Sequence, residues 1–314
     1  MYNWGVTGVC GMPGARSLLV TGCGGYVGGA IVHEGRIPLE LHAVSRGTPL
    51  LHRKGLVWHT LDLLDTAEVE RLFREVSPDA VIHAAARADI DFCEANKDIA
   101  HDINVGVTRR LARLCQDRGA RMIFVSTDTV FDGKKGNYVE EDPPGPLNWY
   151  AETKVAAERI VAGLPGNWVV VRASLVVGLP VLGAGNSFLS RMLPVLEGGR
   201  ELGVPDDEVR SPIDVVTLAR ALIELAGNEY VGYLHLAGND ILNRFEMVQR
   251  IAAKLGFPSR LVVARNPEHI PGRAARPLDV SLCNKKARSI LETPMLDLVA
   301  GLDLALSAKK GIVL

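Results

Sequence analysis

A chain of 314 residues, 47% of them hydrophobic, is long enough for one large α/β domain or two modest ones, each with a real core. Its 35 basic and 36 acidic side chains give a formal charge of −1, so no basic excess points to nucleic acid, and no apolar run approaches the roughly 20 residues of a membrane span. Five dispersed cysteines (Cys10, Cys23, Cys93, Cys115, Cys283), with no Cys-x-x-Cys pair, argue against a zinc site or a disulfide framework and fit a reducing cytoplasm.

Residues 1–16 lack a basic start followed by an apolar stretch and read as a loose N-terminal extension, not a signal peptide. Ser17 to Val20 is a short apolar strand that runs into Thr21-Gly22-Cys23-Gly24-Gly25-Tyr26-Val27-Gly28, and Tyr26 to Glu34 reads as a helix. Strand, glycine turn and helix stand in the order of a dinucleotide site, although the spacing is Gly-x-x-Gly-x-x-Gly (Gly22, Gly25, Gly28). Without Cβ atoms, such a turn lets backbone approach a pyrophosphate at the helix N-terminus, with Tyr26 and Val27 in the same turn. The plainer alternative is that Gly28 and Gly29 only permit close packing of helix on sheet.

Leu39 to Ser45 is the expected second strand. About 20 residues past the glycines, where an acidic residue would bind the ribose hydroxyls of NAD, stand Ser45 and Arg46. A guanidinium clasps a 2′-phosphate that a carboxylate would repel, so NADPH is favoured, NADH staying admissible, unless Arg46 is simply a solvated loop residue. Val57 to Leu61 suggests a third strand, followed by Asp62 and Leu63 at the adenine. In the fourth, Ala80 to Ala86, the small Ala84, Ala85 and Ala86 leave room for a flat ribose or nicotinamide, and His83 reads as a satisfied core histidine. Cys93 follows at the expected pocket edge, more a small hydrophobe than a reactive thiol. Ala100 to Gln116 has helical periodicity; Asn104 within it is either structural or part of a kinked helix that presents its backbone to a water near Lys154.

Met122 to Asp128 is an apolar run ending in hydroxyls and a carboxylate, as a buried parallel strand ending at an active site would. Thr127 falls at its carboxyl edge, and strand-end hydrogen bonding is the bland account of Ser126 and Thr127. Pro143-Pro144-Gly145-Pro146 forbids regular structure, so the next helix begins near Asn148 or Trp149. On that helix Tyr150 and Lys154, four residues apart, project into one space, where an ammonium can act on a phenol to make a general acid or base. Such a pair alone is common surface decoration; the glycine turn and the Thr127 strand lift it.

Trp168 to Val171 closes an alternating pattern that implies a Rossmann-type doubly wound parallel sheet over 17–175. The remainder, 176–314, reads as a smaller mixed α/β substrate lobe interleaved with the last sheet elements. It includes a helix over Asn186 to Leu196. Asn186, Ser187 and Phe188 are placed at the pocket, Phe188 to stack on a base. Arg210, Arg273 and Arg276 are candidates for a diphosphate, the alternative being solvated arginines, and Asp206-Asp207-Glu208 is most simply a solvated acidic turn.

In this order, Thr21-Gly22 to Gly28, Asp62-Leu63, His83 to Ala86, Asn104, Thr127, Tyr150 and Lys154 resemble the extended short-chain dehydrogenase/reductase superfamily. Val125 to Gly133, the Pro146-x-Asn148-x-Tyr150 approach and Arg276-Pro277 are similar to its dTDP-4-dehydrorhamnose reductase branch. The resemblance implies reduction of a nucleotide-linked 4-keto-6-deoxy sugar by NADPH or NADH. In that reaction Thr127 bonds the keto oxygen and Tyr150 donates a proton, while Lys154 holds the nicotinamide ribose and lowers the tyrosine pKa. Asp128 and Arg276 join the substrate contacts. Sugar-nucleotide dehydratases of the superfamily carry Thr-Asp-Glu where this chain has Thr127-Asp128-Thr129, which disfavours dehydration. An epimerase is the nearer alternative, and a cofactor-binding regulatory subunit, as in the methionine adenosyltransferase beta subunits, is the alternative of another class. A homodimer is compatible with the sequence, but no heptad pattern specifies it.

Overall fold

The structure, a computed structural model, describes residues 17–35, 40–183, 187–266 and 273–310. Its first part alternates regularly: β1 (Ser17–Thr21), α1 (Tyr26–Glu34), β2 (Glu40–Ser45), β3 (Leu56–Thr60), α2 (Thr66–Val76) and β4 (Ala80–His83). Next come α3 (Ile90–Ala95), α4 (Lys97–His101), a π-helical turn (Asp102–Gly106), α5 (Val107–Arg118), β5 (Arg121–Thr127), α6 (Trp149–Ala162) and β6 (Trp168–Ala173). These strands and Gly232–Leu236 form one seven-stranded parallel sheet in the order Gly232–Leu236, β6, β5, β4, β1, β2, β3. The expected doubly wound parallel sheet is therefore what the chain forms.

Because both faces of the central strands are covered, those strands are mostly apolar and their side chains divide by parity. Leu18 and Val20 of β1, Ile82 of β4, Ile123 of β5 and Val169 and Val171 of β6 meet one core, shared with Ala30, Ile31 and Val32 of α1. Their neighbours Leu19, Val81, Met122, Phe124 and Val170 meet the opposite one, with Leu72 and Phe73 of α2, Leu111 of α5 and Val161 of α6.

Beyond β6 come α7 (Phe188–Glu197), α8 (Val215–Gly227), α9 (Arg244–Lys254), α10 (Lys285–Ile290) and α11 (Leu298–Lys310), with strands of two to five residues between them. Helix α8 packs its Val215, Leu218 and Leu222 into the first core, beneath the sheet. A third core joins Leu189 and Met192 of α7, Met247 and Ile251 of α9 and Leu302 of α11. Among the described residues no helix is long and apolar enough to cross a membrane.

The expected elements recur with small shifts. The fourth strand stops at His83, so Ala84 to Ala86 leave the sheet as open chain. The helix expected from Ala100 is interrupted by the π-helical turn, which carries Asn104. Ser187 caps α7 by accepting from the Ser190 N–H, and Asn186 lies outside the described residues.

Candidate active site

The sheet order reverses between β1 and β4, and in such folds the crevice for ligands opens at that point beyond the strand ends. Gly22, at φ +77°, turns the chain there, and a Cβ on it would stand 2.8 Å from the Ala85 backbone. A Cβ on Gly28 would stand 2.2 Å from the Gly22 carbonyl oxygen, so α1 can start close under the turn only with glycine there. Gly25 donates its N–H to that same carbonyl at 2.9 Å. α2, α3, α6 and α8 are each capped by an Asp or Asn side chain, whereas α1 begins at Gly25 with no side-chain cap and no acidic residue in its first turn. Its first N–H groups, from Tyr26 and Val27 onward, remain available to an anion such as pyrophosphate. These features fit a dinucleotide.

The other residues expected at the cofactor lie at or just beyond the ends of β2, β3 and β4. Ser45 ends β2 with its Cβ 3.6 Å from where a Cβ on Gly24 would lie, and it is fixed by donating to the Gly47 carbonyl at 2.9 Å. Arg46 beside it is exposed. Asp62 is exposed beyond β3, where its carboxylate accepts from the Leu64 N–H, and the half-buried Leu63 is held through its carbonyl by Arg110 at 2.6 Å. Ala84 and Ala85 are half-buried and Ala86 is exposed. The phenol of Tyr26 points inward instead: its hydroxyl is buried without a hydrogen-bond partner, and burial, then the nearby Asp214 carboxylate, raises its pKa.

Thr127 ends β5 and starts a short 3-10 turn, its hydroxyl oxygen accepting from the Thr129 N–H at 3.2 Å. Asn148 caps α6 by accepting from the Ala151 N–H at 3.0 Å, which sets the phase that turns Tyr150 and Lys154 toward β5. The Tyr150 phenol neighbours the Thr127 side chain, whose influence pulls its pKa down. It is only 8% exposed and packs with Cys93 and Ala100. Lys154, 2% exposed, donates to the Val125 carbonyl at 2.7 Å and lies 4.0 Å from the centroid of the Phe124 ring.

Here the electrostatics differ from expectation. Burial, followed by the Asp128 carboxylate, raises the Tyr150 pKa, and the neighbouring Thr127 hydroxyl is what pulls it down. Lys154 is itself driven down to about 7 by burial, against the pull of Glu158 one turn further along α6. A raised phenol is held protonated, the form a proton donor requires.

Asp128 is turned away from solvent, 4% exposed and bonded to Ser174 and Thr127, and burial raises its pKa. Asn104 spends its carboxamide on the protein: Oδ1 accepts from the Arg87 N–H at 2.8 Å, and Nδ2 donates to the Arg87 carbonyl and to Thr153. His83 is the satisfied core histidine expected. The Thr108 hydroxyl gives its hydrogen to the Asn104 carbonyl at 2.6 Å, so Nε2 of His83 donates to Thr108 and Nδ1 accepts from Thr21. Burial lowers this histidine to about 3. Cys93 is likewise buried, its thiol pushed up to about 11.

In the C-terminal part, the acidic turn expected at 206–208 is only partly solvated. Asp206 and Asp207 are exposed, but Glu208 is 4% exposed and gathers Arg210, Arg244 and Arg273 at 3.5, 3.1 and 3.7 Å. A carboxylate drawn inward by three guanidiniums is the reason, and two of them, Arg244 and Arg273, come from far along the chain. Arg210 also donates to the Val209, Pro277 and Leu278 carbonyls, which makes it structural. Arg276 pairs with Asp91 at 2.9 Å and donates to the Ala274 carbonyl, and Asn148 donates to the Ala275 carbonyl, so residues 274–276 bridge α3 and the start of α6. Phe188 is half-buried with the Arg244 guanidinium 5.0 Å from its ring.

Two features went unread in the sequence. Glu158 and Arg172 form an ion pair at 2.9 Å, both nearly inaccessible, with Ser126 donating to Glu158 at 2.6 Å. The bland account of Ser126 therefore holds, and the signal was a lone arginine following three valines in β6. The other is Arg87, the one charge between His83 and Ala88.

Residues 16–309 match the family model of the RmlD substrate binding domain. The chain is 31% identical over 301 residues to dTDP-4-dehydrorhamnose reductase of Mycobacterium tuberculosis, covering 94% of this chain and 93% of the relative. It is 30% identical over 278 residues to methionine adenosyltransferase 2 subunit beta of Rattus norvegicus, with coverages of 86% and 81%. Among solved structures, dTDP-4-dehydrorhamnose reductase from Bacillus anthracis in complex with NADP aligns with a TM-score of 0.83 at 25% identity, over 94% of this chain and 99% of that one.

Proposed function

We propose that this chain, which belongs to the RmlD substrate binding domain family, reduces the 4-keto group of a nucleotide-linked 6-deoxy sugar with NADPH as the preferred cofactor. The observation that carries the reading is Tyr150, buried beside Thr127 at the mouth of β5, with Lys154 one helical turn along. Likeness to a reductase and to an NADP complex supports it.

A bound nicotinamide supplies the hydride that forms the new C–H bond at sugar C4. Tyr150 gives its phenolic proton to the keto oxygen as the C=O double bond becomes a C–O single bond, so the ketone ends as an alcohol. Thr127, held at the strand end, donates to the same oxygen, a bond that strengthens as negative charge develops. Lys154 would hold a ribose hydroxyl, and Gly22, Gly25 and Gly28 with the uncapped α1 N-terminus would hold the pyrophosphate. Arg46 would clasp a 2′-phosphate.

The test follows nicotinamide absorbance with dTDP-4-keto-6-deoxy-L-mannose and either NADPH or NADH. The wild type should oxidise NADPH, and Tyr150→Phe should lose about 10²- to 10⁴-fold in kcat while NADPH still binds. Arg46→Ala should weaken NADPH more than NADH. Equal turnover by wild type and Tyr150→Phe would sink the mechanism. A second reading, a cofactor-binding regulatory subunit, is favoured by the likeness to the rat beta subunit. Tight NADPH binding with no turnover of any keto sugar would select it.

A further inference from the structure

Arg87 follows the Ala84–Ala86 segment, and its main chain is held from both sides. Its N–H goes to Asn104, while its carbonyl accepts from Asn104 at 3.1 Å and from the Cys93 thiol at 3.2 Å. Its guanidinium carbon stands 3.8 Å from the centroid of the Phe92 ring, and Nε is buried without a hydrogen-bond partner. Cys93, whose thiol donates to the Arg87 carbonyl and feels the Arg87 charge, packs with Tyr150, so residue 87 lies one side chain away from the phenol. Other arginines of the C-terminal part near the cleft are engaged: Arg210, Arg244 and Arg273 by Glu208, and Arg276 by Asp91. Arg87 has no carboxylate or carbonyl partner among the described residues. A stacked guanidinium with an unmet donor is costly to keep at a polar cleft unless something meets it, and its fork suits the oxygens of phosphate or carboxylate.

We infer that Arg87 receives an oxyanion of the substrate, an assignment that rests on the nucleotide-sugar reading above. Such a substrate offers the oxygens of its diphosphate.

The experiment is calorimetric titration of dTDP, UDP-glucose and UDP-glucuronate into NADP⁺-loaded wild type and Arg87→Gln. A loss of about 10- to 100-fold in dTDP affinity, with NADP⁺ affinity intact, assigns Arg87 to the diphosphate. Unchanged dTDP binding with a lost preference for UDP-glucuronate over UDP-glucose overturns the diphosphate assignment. Affinities for all three ligands that match the wild type overturn the proposal. Should Arg87→Gln not fold, Phe92→Leu removes the stacking platform while keeping the charge, and it must weaken the same ligand or the proposal fails. The keto-sugar assay separates the two claims. Wild-type turnover with an unchanged KM in Arg87→Gln rejects Arg87 alone, whereas a wild type that neither turns over nor binds any of the three nucleotides rejects both.

Discussion

Lys154 carries its charge against the cost of burial, and that conflict has a measurable sign. Its value is lowered to about 7 from the 10.5 of a free lysine. Between those limits the unfolded chain holds a proton that the folded one has released, so this lysine's contribution to stability rises with pH across the window and is at its lowest below pH 7. Replacing it removes the effect. Thermal melts of the cofactor-free protein at pH 7 and pH 9.5 should show the wild type gaining on Lys154→Met as pH rises; parallel curves would mean that Lys154 stays charged in the fold. The Val125 carbonyl and the Phe124 ring are what the ammonium has in exchange for water. A ribose hydroxyl would be a further acceptor.

The glycine turn, α1 and α6 were legible because their chemistry is written in local spacing. Gly22, Gly25 and Gly28 are set by the turn itself, and i, i+4 places Tyr150 with Lys154 whatever the helix packs against. Gly28→Ala should therefore abolish tight cofactor binding and cost about 1–3 kcal/mol of stability, because the added methyl meets the Gly22 carbonyl and backbone must move. Urea unfolding and an NADP⁺ titration check both; a variant that binds NADP⁺ like the wild type would show that the turn can open. Glu208, Arg172 and Arg87 were not legible for the opposite reason. Glu208 meets Arg244 and Arg273 from far along the chain and Arg172 meets Glu158 from another element, and a charged side chain such as Arg87 reads as solvated until its burial is known. The tyrosine pKa failed in the same way: spacing foretold the neighbour but not the depth.

Two histidines buried in the sheet, His83 and His235, are both lowered to about 3. Below the usual 6.5 the unfolded chain takes up protons that these folded rings refuse, so stability should fall as pH drops from 6.5 toward 3, by about 1.4 kcal/mol per pH unit for each ring. Denaturant titrations at pH 6.5 and pH 5 measure the slope, and His83→Gln should lessen it; an identical slope would show that His83 charges in place. Finally, the strand Gly232–Leu236 completes a sheet whose other six strands end at Ala173. On a ribosome, β6 would emerge with its outer edge bare, and Val169, Val170 and Val171 would wait for some sixty more residues to be synthesised before their neighbour arrives. During that interval the nascent chain offers an open, valine-rich template to any passing strand.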